Sequence, residues 1–206
     1  MGKNSLSAEI LRKLVHLAGV FVVIVYGVVE FYFGFEMGIL VLTGMLLLLL
    51  EIEYIRLEHR PRFANIFDFM FREHEKDNIS GAVFLLISAI ICFAAFNYMV
   101  AVYALLITVL GDLAGALVGK ACGKCKIIGE KSVAGTSAMF IVSAGLGFLL
   151  VPNLPWLILG MSLTATVVEL LTNKMDDNLT VPISAGFVGQ ILIYLLSINL
   201  PVDILW

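Results

Sequence analysis

The stretch TVLGDLAGALVGKACGKCKIIGEKSVAGTSAMF, Thr108 to Phe140, begins inside one apolar run and ends inside another. Between the runs lie Asp112, four lysines and a scatter of glycines. If the first run is a membrane helix, Asp112 sits about seven residues from its end, roughly 10 Å below the surface. An acid at that depth costs about 3 kcal/mol on insertion scales. It therefore either orients helix packing through a partner or has a chemical task.

The rest of the chain decides that the run is a membrane helix. Of 206 residues, 61% are hydrophobic and only 14% charged, and the mean hydropathy is +1.03. A soluble domain of this size is excluded, because several apolar runs reach the roughly 20 residues that cross a bilayer. The expected fold is all-α: a polytopic integral membrane protein with about seven transmembrane helices. The segments lie near Val15–Phe33, Met37–Tyr54, Ile79–Asn97, Met99–Gly119, Val133–Val151, Trp156–Leu171 and Leu179–Leu200. They follow one another tightly, so residues 1–206 read as one membrane-embedded domain. The first segment reads as a span rather than a cleaved leader.

Orientation follows from the cations. With seven spans, all 13 Lys and Arg residues fall at one side. The positive-inside rule makes that side cytoplasmic, with the N-terminus inside and the C-terminus outside. The net charge of -3 identifies no partner, and nothing points to nucleic acid. Residues 56–78 form a cytosolic segment in which Phe63, Ile66, Phe67 and Met70 give an apolar stripe suited to the membrane interface. Cys122 and Cys125 make a lone CxxC, half of a structural zinc site with no second half nearby.

Polar residues recur at helical spacing. Ser162, Thr166, Glu169 and Asn173 share one face, as do Thr108, Asp112, Gly115 and Gly119. Gly111, Gly115 and Gly119 also form two overlapping GxxxG units, the pattern of closely packed helices. Glu9, Arg12, Lys13 and His16 form a third polar face at the first span. Glu73 lies in a charged run at the start of the third span, and Asp176, Asp177 and Asn178 lie at the cytosolic edge of the seventh.

Acids, lysines and a glycine-containing loop are the parts that hold a metal-bound polyphosphate. Magnesium takes a few carboxylates and otherwise keeps waters and phosphate oxygens. Lysines offset phosphate charge, and the start of a helix completes an anion site. GEKSVAGT, Gly129 to Thr136, opens the fifth span but is not a Walker A loop, since Lys131 does not follow a glycine.

These residues carry a resemblance. ExxRKxxH (Glu9 to His16), Arg72–Glu73 followed by Gly81–Ala82, GDLAGALVGK (Gly111 to Lys120), GEKSVAGT, and Glu169 with DNLTVP (Asp177 to Pro182) are similar to the dolichol kinase and phytol kinase family of CTP-dependent lipid kinases. The chain more distantly resembles the CDP-diacylglycerol synthases. The family resemblance implies transfer of the γ-phosphoryl group of CTP to the hydroxyl of an isoprenoid alcohol of the dolichol, phytol or geranylgeraniol type. The active site would face the cytoplasm, with residues 120–132 as phosphate-binding loop. On this expectation Asp112 and Asp177 ligate Mg²⁺, and Glu169 is a third acid or orients the others. Lys120, Lys131, Ser132, Gly135 and Thr136 bind the triphosphate with help from Asn178. Arg12 and His16 reach phosphate or position an acid, and either Glu73 or Asp112 takes the alcohol proton. The expected partners are the lipid alcohol, a nucleoside triphosphate and the bilayer, and a homo-oligomer is left open.

Three rival readings use the same residues. A CTP:phosphatidate cytidylyltransferase would make a CDP-lipid and release pyrophosphate. A cation- or proton-coupled transporter would use Asp112 and Glu169 as ion sites. A structural scaffold would use the glycines for packing alone.

Overall fold

The described part of each of the seven apolar segments is mainly helical. The structure is a computed structural model and describes residues 18–59, 78–129, 131–172 and 175–197. Arg12, His16 and Glu73 lie outside the described residues, as does most of the expected interfacial segment. The chain divides into two compact units between Ile87 and Ser88.

In the first unit, helix α1 (Ala18–Phe33) and helix α2 (Phe35–His59) pack as a hairpin. Gly34 makes the join. Its φ of 84° is the left-handed conformation that ends a helix, and its N–H bonds the Glu30 carbonyl at 2.9 Å. Tyr26 is 1% exposed and lies against Gly38, where a β-carbon would meet the ring. The second span was expected to end near Tyr54, but α2 runs on to His59. The extra turn is held by Glu53, which is buried and accepts from Arg56 Nε at 3.0 Å. Arg56 also donates to the Asn78 carbonyl at 2.7 Å. Helix α3 spans Gly81–Ala95.

The second unit is built on a long apolar rod. Helix α4 (Tyr98–Leu106) passes through a π-helical turn (Ile107–Gly111) into helix α5 (Asp112–Cys122). A short antiparallel hairpin follows, strand β1 (Lys126–Ile128) against strand β2 (Lys131–Ser132), and leads into helix α6 (Val133–Leu150). Helix α7 (Pro155–Leu171) begins with proline at its first turn, where no intrahelical N–H is needed. Helix α8 (Asp177–Leu195) completes the unit. The main packed pairs are α5 with α6, α6 with α7, α7 with α8, and α8 with α4. Their shared core includes Tyr103, Ile107, Met139, Ile158, Met161 and Ala165.

The outward faces are as oily as the core, with Leu149 81% and Tyr194 80% exposed. Helices that are apolar on all sides need a hydrocarbon surround. Among the described residues, four helical stretches are long and apolar enough to cross a membrane: Phe35–Glu58, Tyr98–Cys122, Val133–Leu150 and Asp177–Leu195. Gly19–Phe33, Gly81–Ala95 and Pro155–Leu171 are equally apolar but shorter.

Candidate functional site

The GxxxG units do what close-packing glycines do. Gly111, Gly115 and Gly119 of the rod face Gly135, Met139 and Ser143 of α6. A β-carbon on Gly135 would lie 2.7 Å from the Gly115 carbonyl oxygen and 3.1 Å from the Gly119 α-carbon. Only hydrogens fit there, so the two backbones touch. This contact fixes α5, whose first residue is Asp112, against α6.

The π-turn sits directly before Asp112. The Asp112 N–H bonds the carbonyls of Thr108 and Val109. Thr108 is buried, and its hydroxyl donates to the Ala104 carbonyl at 2.9 Å. Wide turns of this kind concentrate at functional sites.

Earlier along the rod, at Tyr103, the polar face of α7 meets it. Tyr103 Oη and Ser162 Oγ lie 2.9 Å apart, and Tyr103 Oη also donates to the Ser143 carbonyl at 3.0 Å. Thr166 donates to the Ser162 carbonyl at 2.8 Å. Nearer the end of α7 comes Glu169, whose Oε1 pairs with Lys131 Nζ at 3.0 Å. Lys131 Nζ also donates to the backbone carbonyls of Glu169 and of Thr172, the latter at 3.2 Å. A cation beside the last carbonyls of a helix is favoured by their partial negative charge.

The start of α8 approaches the same end. Asp176 is the N-cap, and its Oδ1 accepts from the Asn178 N–H at 2.9 Å and from Asn178 Nδ2 at 2.8 Å. Asp177 occupies the first turn. Thr172 and Thr180 hydroxyls, 3.4 Å apart, join the end of α7 to the start of α8. Asp112 and Asp177 each lie near enough for their charge to act on Glu169.

Of the expected site residues, the structure pairs Lys131 with Glu169 and sets Asp112 and Asp177 within reach of the Glu169 charge. It gives the other expected site residues more specific places. Ser132 is buried and caps α6, its Oγ accepting from the Gly135 N–H at 3.2 Å. Gly135 is a packing glycine. Asn178 is buried and tied to Asp176. Thr136 is half-buried in the first turn of α6, and Lys120 is exposed in the last turn of α5. The Val133 N–H bonds the Cys125 carbonyl at 3.0 Å, so the CxxC turn is fastened to α6. Among the described residues, no three His, Cys, Asp or Glu side chains form a set that could by themselves hold a metal.

Several structural partners went unread in the sequence. Tyr103 is one, since a lone tyrosine in an apolar run gives no sign of which serines it will reach. Gln190 is another: its Oε1 accepts the Asn97 N–H at 2.8 Å and ties the far end of α8 to the start of α4. Fold and site together define an apolar helical protein with an acid cluster and a basic hairpin at one end. Comparison with protein-family models, curated proteins and solved structures returns no match.

Proposed function

We propose that the chain is a seven-span membrane kinase that transfers the γ-phosphoryl group of CTP to an isoprenoid lipid alcohol at the cytoplasmic face. The observation that supports this reading is the gathering of Asp112, Glu169 and Asp177 beside a lysine-bearing hairpin. The acids come from three different helices, α5, α7 and α8, and the hairpin carries Lys124 and Lys126 exposed next to Lys120. A water-borne nucleotide and a membrane-borne alcohol would meet at that boundary.

Hard carboxylate oxygens suit magnesium, which commonly takes one or two protein carboxylates and fills its remaining positions with phosphate oxygens and waters. The donor set therefore fits a metal that arrives with the nucleotide rather than one held by the protein alone. Asp112 and Asp177 would hold it, and its charge would offset that of the phosphates. Glu169 is already engaged by Lys131. In the transfer, the alcohol oxygen bonds to the γ-phosphorus as its proton passes to a carboxylate, Asp112 or Glu73, the bond to the β,γ-bridging oxygen breaks, and CDP leaves. Such a step needs alignment and charge stabilisation more than covalent help. Closely packed α5 and α6 would supply the rigidity.

The test is product analysis with purified protein, labelled CTP and a panel of phytol, geranylgeraniol, dolichol and diacylglycerol. Label from the γ-position should enter the alcohol. Label from the α-position entering lipid would replace the kinase by a cytidylyltransferase. No transfer with any pair, alongside nucleotide-independent proton flux in liposomes, would favour a transporter.

A further inference from the structure

We infer that Lys131 is a positioning residue, which fastens the hairpin to the end of α7 and fixes Glu169, and does not grip phosphate. An ammonium group has three N–H donors and no acceptor. Here each donor has an acceptor: Glu169 Oε1, the Glu169 carbonyl and the Thr172 carbonyl. The side chain is only 23% exposed, and that of Glu169 16%. A phosphate could reach Lys131 only by taking donors away from the carbonyls that end α7 and from a carboxylate that would be left largely buried without its cation.

The position in the chain gives the contact its leverage. Lys131 precedes Ser132, the cap of α6, and the preceding strand bonds back through Cys125 to Val133. One residue therefore starts α6 and its neighbour closes α7. Gly123 presses against Ser132, where a β-carbon would have no room, so the hairpin base is rigid on the α6 side. On the α7 side Lys131 is the tie. Its partner Glu169 feels Asp112 of α5 and Asp177 of α8. By holding Glu169 in place, Lys131 fixes the acid of α7. The exposed Lys120, Lys124 and Lys126 are then the cations presented to an incoming polyphosphate.

The kinetic part of the test rests on the proposed kinase activity, whereas the structural part does not. Full-length protein in detergent, with Lys131→Met and Lys131→Arg variants, is exposed to trypsin, and cleavage after Lys124 and Lys126 is followed by mass spectrometry. Loss of the tie should speed cleavage roughly tenfold in Lys131→Met. Lys131→Arg should fall between, because a planar guanidinium keeps the charge but not the tripod of donors. With Mg-CTP and alcohol, kcat should drop in Lys131→Met while the KM for CTP stays within about twofold. Unchanged cleavage together with a KM raised tenfold or more would overturn the inference and make Lys131 a phosphate ligand. If the wild type turns over no nucleotide, the kinase reading falls, and the cleavage rates alone still decide whether Lys131 holds the hairpin. Should Lys131→Met fail to fold, Lys131→Arg decides: wild-type cleavage with a raised KM counts against the tie, faster cleavage with an unchanged KM supports it.

Discussion

Ser88 donates its hydroxyl to the backbone carbonyl of Asn178 at 2.8 Å, inside the second unit. The bond has a cause four residues further on. Pro182 lies within α8 and has no N–H, so the Asn178 carbonyl lacks its ordinary helical partner. Ser88 is fully buried and Asn178 is 6% exposed, so water does not substitute. Replacing Ser88 by Ala should cost about 1–2 kcal/mol of stability. In a Pro182→Ala background the helix supplies its own N–H, and the same replacement should cost only a few tenths. Thermal unfolding of the four proteins in one detergent measures the difference, and equal costs in both backgrounds would refute the link.

The glycine contact between α5 and α6 separates two glycines of one helix. Gly135→Ala places a methyl group against the Gly115 carbonyl, where backbone cannot yield cheaply. Overpacking of this kind costs about 1–3 kcal/mol. Gly145→Ala meets nothing within 4 Å and should be neutral, or stabilising by up to about 1 kcal/mol through helix propensity. Detergent melting curves check both. A harmless Gly135→Ala would mean that the helices stand further apart than described.

Asp112→Asn tests the acid cluster directly. The change keeps size and removes charge. If the kinase reading holds, phosphoryl transfer from Mg-CTP should fall about a hundredfold or more, with the melting temperature nearly unchanged. Raised Mg²⁺ should restore part of the rate if Asp112 helps to hold the metal. Full activity in the variant would remove Asp112 from the reaction.

Much of this arrangement was legible in the sequence, and the reasons for the gaps are physical. Hydropathy located every helix among the described residues, because burial in hydrocarbon depends on residue type and length. Spacing placed Ser162, Thr166 and Glu169 on one face, because helical periodicity is local. Asp112 and Glu169 stand on the two polar stripes that helical spacing picks out, whereas Asp177 lies on neither and enters only as an acid at the start of α8. The π-turn left no such trace, since a change of hydrogen-bond partner from i+4 to i+5 alters no residue type. The small strand pair at Lys126–Ser132 was read as loop, being too short for alternation to register. The company of lysines and glycines suggests a phosphate ligand in Lys131; spacing cannot show its contact with the end of α7, 38 residues away in the chain. The role of Ser88 was hidden for the same reason: its partner is a backbone atom made available by a distant proline.

The wide turn at Ile107–Gly111 has a consequence for how this chain tolerates change in length. It takes up one residue more than an α-turn does. A single-codon deletion inside the turn would restore ordinary pairing and leave Asp112 and the glycine row close to their present bearing. The same deletion within α5 meets no such slack: everything after it would rotate by about 100°, and the packing seam would be dialled out of alignment.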